Sequence, residues 1–405
     1  MLQKTPERSV QDKGPGAGLM LSLAIASGVT VANLYYAQPL VGTISASFGL
    51  DVAAAGLIVT MIQFGYVLGL LFLVPLGDFI ENKSLILLML GGLIASLLIS
   101  AAAPSTAIFV ASSFLLGFSA VGTQMILPLA AHLAPEHRRG QSVGTVMSGV
   151  LVGILLARPV STLVAGEFGW RAMYLISATA MGAVVVLMAL VLPRRRPQHT
   201  LTYGTLLGSL WGMLLKTPVL RRRAAYQALL FGAFIMFWTA TPLLLQAPPF
   251  SLGHLALSAF LLSGAAGVFI APLAGRLADR GHVRAVTGLA MTAVALCFVL
   301  SFIGGSGSVA IMVCAGILLD AGAQANFVAG QREIYALSPT IRSRLNALYL
   351  AVVFLGGALG SAAGGYTVAM GGAKLFSAVG LGIALVALAL FATEGLAKAK
   401  GNAKG

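Results

Sequence analysis

Apolar runs of about 20 residues recur from one end of this chain to the other, and that recurrence limits what it can fold into. A helix of about 20 residues crosses the ~30 Å hydrocarbon layer of a bilayer. Backbone groups in lipid must pair within their own segment, so such runs read as α-helices, and the period-2 alternation of a membrane barrel is missing. Of the 405 residues 58% are hydrophobic and 9% are charged, against roughly 25% charged in soluble domains. So few charges do not cover a surface facing water. Twelve spans are expected, at roughly 18–44, 52–75, 84–103, 107–131, 142–165, 171–192, 224–246, 254–273, 284–304, 308–333, 344–369 and 374–393. The long central connection divides the chain into a tail 1–17, a six-helix bundle 18–192, a basic linker 193–223, a second six-helix bundle 224–393 and a tail 394–405.

The net charge of +14 would point to nucleic acid in a soluble protein. Its placement excludes that partner. All of the 25 Lys and Arg except Arg158, Arg171 and Lys374 fall in the tails, the linker and every second loop. The positive-inside rule therefore puts both termini in the cytoplasm of a bacterial-type inner membrane, with the basic residues against anionic lipid headgroups. The leading MLQKTPERSVQDKGPG lacks the apolar core of a secretion signal. Cys297 and Cys314 lie inside apolar runs and read as reduced packing residues. There is no GxxxxGK[ST] loop for ATP and no HExxH or CxxC spacing for a metal, so no enzyme activity, metal or cofactor is expected. His132, His137, His199, His254 and His282 fall at span ends or in loops; His132, an isolated histidine, reads as structural, with a proton relay at the cytoplasmic mouth as the alternative.

The halves echo each other. Gly77 in "PLGDFIENK" and Gly275 in "APLAGRLADRGHVR" lie 198 apart, Pro135 and Pro339 lie 204 apart, and Gly153, Ala157 and Ser161 match Gly356, Gly360 and Gly364 at 203. Parallel repeats of this kind occur in transporters, with the solute site between them. At "GRLADRGHVR" the chain resembles the major facilitator superfamily, whose Gly-x-Leu-Ala-Asp-Arg-x-Gly-Arg-Lys loop joins helices 2 and 3 and is echoed between 8 and 9. The second copy matches through Gly275, Leu277, Asp279 and Arg280; the first has Glu81 in place of the Asp. "FGWRAMY", entering span 6, and "GILLARPVSTLVAG", in span 5, resemble the drug:proton antiporter branch, with Ala157-Arg158-Pro159 where that branch has Gly-Pro. The resemblance implies an all-α membrane protein of twelve helices in two pseudo-symmetric six-helix bundles, monomeric, alternating between two access states. It also implies that spans 1, 4, 7 and 10 line a central cavity, and that the loop residues Gly77, Asp78, Glu81, Gly275, Asp279 and Arg280 form a cytoplasmic latch.

The residues themselves add detail. Gly149, Gly153, Ala157 and Ser161, like Gly356, Gly360 and Gly364, recur every four residues and allow close helix approach. They read as static packing or as a surface that slides against the opposite half. Pro128 and Pro159 each remove a backbone donor from a helix. Gly77 and Gly275 permit tight turns, beside acids that accept from helix N-termini or pair with Lys83, Arg276 and Arg280. In span 7, Gln227, Phe231, Phe234, Trp238 and Thr241 share a face; in span 10, Asp320, Gln324, Phe327 and Gln331 do so; in span 1, Asn33 and Tyr36 do, with Gln38 just beyond. Gln63 and Tyr66 in span 2 and Gln124 in span 4 add polar groups. Polar side chains are costly against lipid, so these are candidate cavity-lining residues.

Arg158 in span 5 and Asp320 in span 10 are the deep charges. Arg158 is expected at the interface of the halves, answered by Asp320 or by a solute anion, with Gln324, Ser161 and backbone carbonyls as further acceptors. The alternative is an arginine that snorkels outward. Proton or solute occupying Asp320 in turn would give exchange. The function expected is a proton-coupled exporter of small amphipathic or drug-like compounds. A sugar or metabolite carrier of the same superfamily, working in either direction, is the alternative; a non-transporting membrane receptor or scaffold is the rival from another class.

Overall fold

The computed structural model describes residues 17–135, 138–196, 202–338 and 341–402, and every regular element among them is a helix. The N-terminal tail to residue 16, His137, His199, Pro339 and residues 403–405 lie outside the described residues. The first half comprises α1 (Ala17–Ala32) with the short α2 (Val41–Ser47), α3 (Val52–Leu68), α4 (Asn82–Ala102), α5 (Thr106–Ser119) continued by α6 (Gly122–Leu133), α7 (Arg139–Phe168) and α8 (Trp170–Val191). The second comprises α10 (Pro218–Gln246), α11 (His254–Leu261) continued by α12 (Ala266–Asp279), α13 (Val283–Gly304), α14 (Val309–Leu337) and α15 (Arg342–Asn402). Ten helical segments are long and apolar enough to cross a membrane. The last, Arg344–Glu394, has 51 residues and breaks at Gly372 (φ 57°, ψ −147°), so it supplies two spans. With α1–α2 these are the twelve spans expected.

Three boundaries differ from the sequence reading. Span 1 is not one helix: its backbone leaves the α-helix after Ala32 and runs through turns to a 3-10 turn at Gln38–Leu40. Asn33 holds this break, its amide donating to the carbonyls of Val29 (2.8 Å) and Thr30 (3.2 Å) and accepting from Ser177 (2.6 Å). The linker is not all loop, because α9 (Tyr203–Lys216) buries Leu206 and Leu210 and exposes Trp211. Finally, α10 starts at Pro218, whose fixed φ suits a first helical turn. Its Arg223 is buried and satisfied by Glu333 (2.6 Å) and Thr287 (2.8 Å), so this arginine belongs to the bundle rather than to a solvated linker.

The small residues at the four-residue spacing of α7 and α15 pack mainly within each half, while Gly56 of α3 meets Ser361 and Gly365 of α15 across the halves. A Cβ on Gly149 would run into the carbonyl of Ala24, and one on Gly153 into that of Gly28, so α7 lies backbone to backbone on α1. In the second half Gly356 meets Ala228 and Gly360 meets Gly232 in the same way, joining α15 to α10. The glycine stripe of α7 is therefore a fixed seam within its half, not a surface sliding on the other. The equivalence by packing, Gly149 with Gly356 and Gly153 with Gly360, is one helical turn from the offset of 203 read in the sequence. A four-residue repeat of small residues still matches after a slip of one turn, which hides the register.

Gly153→Val should therefore lower the unfolding temperature in detergent and the folded yield, by the ~1–3 kcal/mol or more of an overpacked core. Gly182→Val, at a site with open space around the new side chain, should leave both unchanged. Equal behaviour of the two variants in fluorescence-detected unfolding would refute the fixed seam.

Candidate functional site

The halves meet on the side away from the linker. Ser361 donates to the carbonyl of Gly56 (2.8 Å), Thr60 to that of Ala358 (3.0 Å) and Ser258 to that of Pro159 (3.0 Å). Gly166 lies against His254, and Gly42 against Leu243. Toward the linker side the halves part around a cavity of about 680 Å³. Arg158 and Asp320 stand at its blind end; His132, Arg139 and Arg342 stand at its mouth, at the linker-side ends of α6, α7 and α15. The structure is thus closed on one side and open on the other.

Arg158 is 2% exposed and lies between the halves. Its Nε donates to Oε1 of Gln38 at 2.7 Å. Its guanidinium carbon lies 4.8, 5.0 and 5.2 Å from the ring centres of Trp238, Phe234 and Tyr35, a desolvated cation–π cage. Its Nη2 has no hydrogen-bond partner among the described residues. Asp320 accepts from the indole N–H of Trp238 at 2.9 Å. The carboxylate and the guanidinium make no direct ion pair. They face one another across Gly264: Oδ1 of Asp320 is 3.3 Å and Nη1 of Arg158 is 3.6 Å from where a Cβ on Gly264 would sit. The expected acceptors of Arg158 are corrected accordingly. Ser161 donates to the Arg158 carbonyl (3.0 Å) rather than accepting, and the acceptor is Gln38, carried inward by the break in span 1.

Of the polar and aromatic stripes, Tyr66, Gln124, Gln227, Phe231, Phe234, Gln324, Phe327 and Gln331 line the cavity. Gln124 donates to the Tyr66 hydroxyl (3.0 Å) and Gln227 to the Ala323 carbonyl (3.2 Å). Asn33, Tyr36, Gln38, Gln63, Trp238 and Thr241 do not line it. Asn33 is taken by the backbone break, and Gln38 gives its Oε1 to Arg158 while its Nε2 has no partner among the described residues. Thr241 donates to the Phe237 carbonyl one turn back (2.6 Å), and Trp238 is wholly buried behind the cavity wall. Gln63 is buried with neither amide atom paired among the described residues. The turns after Ala32 change the phase of span 1, so Tyr35 reaches the cavity in place of Tyr36. The sequence reading also missed the wall that α7 supplies through Val143, Met147, Val150, Leu151, Ile154 and Leu155. These share the helix face of Arg158 at helical spacing, so phasing the helix on that arginine would have found them.

The loop residues also differ from expectation. Asp279 pairs with Arg332 of α14 (2.9 Å), not with Arg276 or Arg280. Gly275 lies inside α12, and the left-handed turn belongs to Gly281 (φ 88°). Gly77 is in a 3-10 turn, where a Cβ would meet Met125. Glu81 accepts from Ser84 (2.7 Å) and lies 4.0 Å from Arg194. Lys83 donates to the Ala189 carbonyl (2.5 Å) instead of pairing with an acid, and Asp78 is exposed. None of these contacts joins the two halves: the Asp279 pair lies within the second, and those of Glu81 and Lys83 lie within the first or reach the linker at Arg194.

Comparison with known proteins places this geometry in context. Residues 23–319 match the Major Facilitator Superfamily. The chain is 38% identical over 344 residues to the uncharacterized transporter YgaY of Escherichia coli O157:H7, covering 85% of this chain and 87% of that protein. It is 33% identical over 365 residues to a probable transporter of Streptomyces coelicolor, covering 88% and 84%. Among solved structures, a bacterial homolog of the human lysosomal transporter Spinster superposes with a TM-score of 0.75 at 15% identity, covering 93% and 96%. The nucleoside transporter NupG gives 0.69 at 17%, covering 93% and 98%.

Gln38→Leu should leave the Arg158 Nε without an acceptor and destabilise the protein by about 1.5–3 kcal/mol, the range for a hydrogen bond to a charged group. Thermal unfolding in detergent should show a loss of several degrees. An unchanged midpoint would mean that Gln38 does not hold the arginine.

Proposed function

This chain belongs to the Major Facilitator Superfamily and is a multi-pass membrane transporter, and from that premise we propose that it is a proton-coupled secondary carrier exporting small amphipathic compounds by alternating access. The observation that carries the reading is a cavity open on one side, walled by aromatic rings, with one carboxylate beside one arginine at its blind end. With tails and linker in the cytoplasm of a bacterial inner membrane, as the basic residues place them, the open mouth loads solute from the cytoplasm. The likeness of spans 5 and 6 to the drug:proton antiporter branch supports export. The metabolite carrier is favoured by a different observation, the arginines at the mouth and the blind end, since drug-like cations gain little from such a wall.

Asp320 is the proton site in this reading. It is the acidic residue among those lining the cavity, and gaining a proton changes the charge of the Arg158 site by one. Proton and solute occupancy are then thermodynamically linked. The return to the other state opens the contacts of Ser361, Thr60 and Ser258 and closes the mouth between α6–α7 and α14–α15. Asp279 acts on the balance of states through Arg332, which ties the end of α12 to α14.

Asp320→Asn should abolish solute-evoked proton flux and retain solute binding. Proteoliposomes loaded with pyranine, challenged with amphipathic cations, neutral compounds and carboxylates, report the flux. Proton flux undiminished in this variant would move coupling to another group such as His132.

A further inference from the structure

At the blind end of the cavity Arg158 faces Asp320, the acidic group among its described lining residues. Within this lining Arg158 is 2% exposed yet keeps an unpartnered Nη2. Its Nε is taken by Gln38, and the three aromatic faces around it attract the cation without offering a carbonyl or carboxylate oxygen. One oxygen of Asp320 is held by Trp238, and none reaches Arg158 within hydrogen-bond distance. Arg158 lines the cavity, and a buried cationic N–H without an acceptor calls for an anionic oxygen. An ammonium head at the same place would meet a like charge in a low dielectric.

We infer that the solute is a small organic anion, a carboxylate on an apolar or aromatic body, whose carboxylate takes the free N–H of Arg158 and whose body lies along Phe231, Phe234 and Phe327. This rests on the reading of Asp320 as the proton site, and it fixes the sign of the coupling. With Asp320 ionised, the Arg158–Asp320 site is neutral, and an added carboxylate leaves it with one negative charge. With Asp320 protonated, the site carries one positive charge, which the carboxylate cancels. Uncompensated buried charge is costly, so anion and proton load together and leave together. Cotransport thus takes the place of the exchange expected from a carboxylate alone. It exports when the anion accumulates inside, and it imports when the proton gradient dominates.

Matched probes test this on the purified full chain in detergent: phenylbutyrate, phenylbutylamine and phenylbutanol, with hexanoate, hexylamine and hexanol as a second set. Thermal-shift titration should show that carboxylates stabilise the wild type in preference to amines and alcohols. Their affinity should rise from about pH 8 to about pH 6, a range in which free carboxylates stay ionised. Arg158→Gln should weaken carboxylate binding about tenfold or more, as expected for loss of a charge-assisted hydrogen bond. Asp320→Asn should bind carboxylates without dependence on pH. The wild-type preference among head groups needs no variant, so a poorly folding Arg158→Gln does not blunt the test. Preference for amines or alcohols, carboxylates bound equally by Arg158→Gln, or no probe bound would each overturn the inference. Proton flux evoked by amines would sink it while sparing the carrier reading. Carboxylate binding at Arg158 without proton flux would sink the coupling and spare the binding site.

Discussion

A guanidinium buried between two halves of a membrane protein has to be compensated from both of them, and this requirement organises the centre of the molecule. From the first half, the break in span 1 delivers Gln38 as acceptor and Tyr35 as a ring face. From the second, α10 delivers Phe234 and Trp238, and Trp238 in turn holds Asp320 through its indole N–H. A charged side chain at the centre of a span costs about 2.5–3.5 kcal/mol on insertion scales. Here the helices around it satisfy part of the guanidinium and leave its Nη2 without an acceptor among the described residues.

The glycine seams explain why such a site can move without dissolving. α7 is locked to α1 and α15 to α10 by contacts that admit no side chain, so each half behaves as a stiff block. The contacts between halves are hydroxyls donating to carbonyls, glycines facing side chains, and one close backbone approach of Gly56 to Ser361 and Gly365. Hydrogen bonds of this sort contribute about 0.5–1.5 kcal/mol each, a scale that permits exchange between states. Arg158 and Asp320 sit on opposite blocks, so a change of charge at one is felt as a force between the two.

Much of this was legible in the sequence, and the misses have physical causes. Apolar length gave the twelve spans, because the hydrocarbon layer fixes how long each must be. Intramembrane charge singled out Arg158 and Asp320, because each is costly in lipid. The span 7 and span 10 stripes carried Phe231, Phe234, Gln324 and Phe327 to the cavity because those helices stay regular through the site. Span 1 does not stay regular. Its hydrogen bonds from Asn33 to Val29 and Thr30 break the period on which a face is counted, so counting along a regular helix points to Tyr36 and Gln38 as cavity residues and passes over Tyr35. Partners distant in sequence, such as Asp279 with Arg332 or Gly153 with Gly28, leave no trace in local pattern.

The central claim is that Arg158 and Asp320 form one site whose net charge decides what it holds. Proton uptake on anion binding tests it most directly. Isothermal titration of the wild-type protein with phenylbutyrate, repeated in buffers of different ionisation enthalpy at a pH where free Asp320 is ionised, counts protons taken up per anion bound. The account predicts uptake approaching one proton per anion in the wild type and none in Asp320→Asn. Release of protons on binding, or uptake that persists in Asp320→Asn, would contradict it.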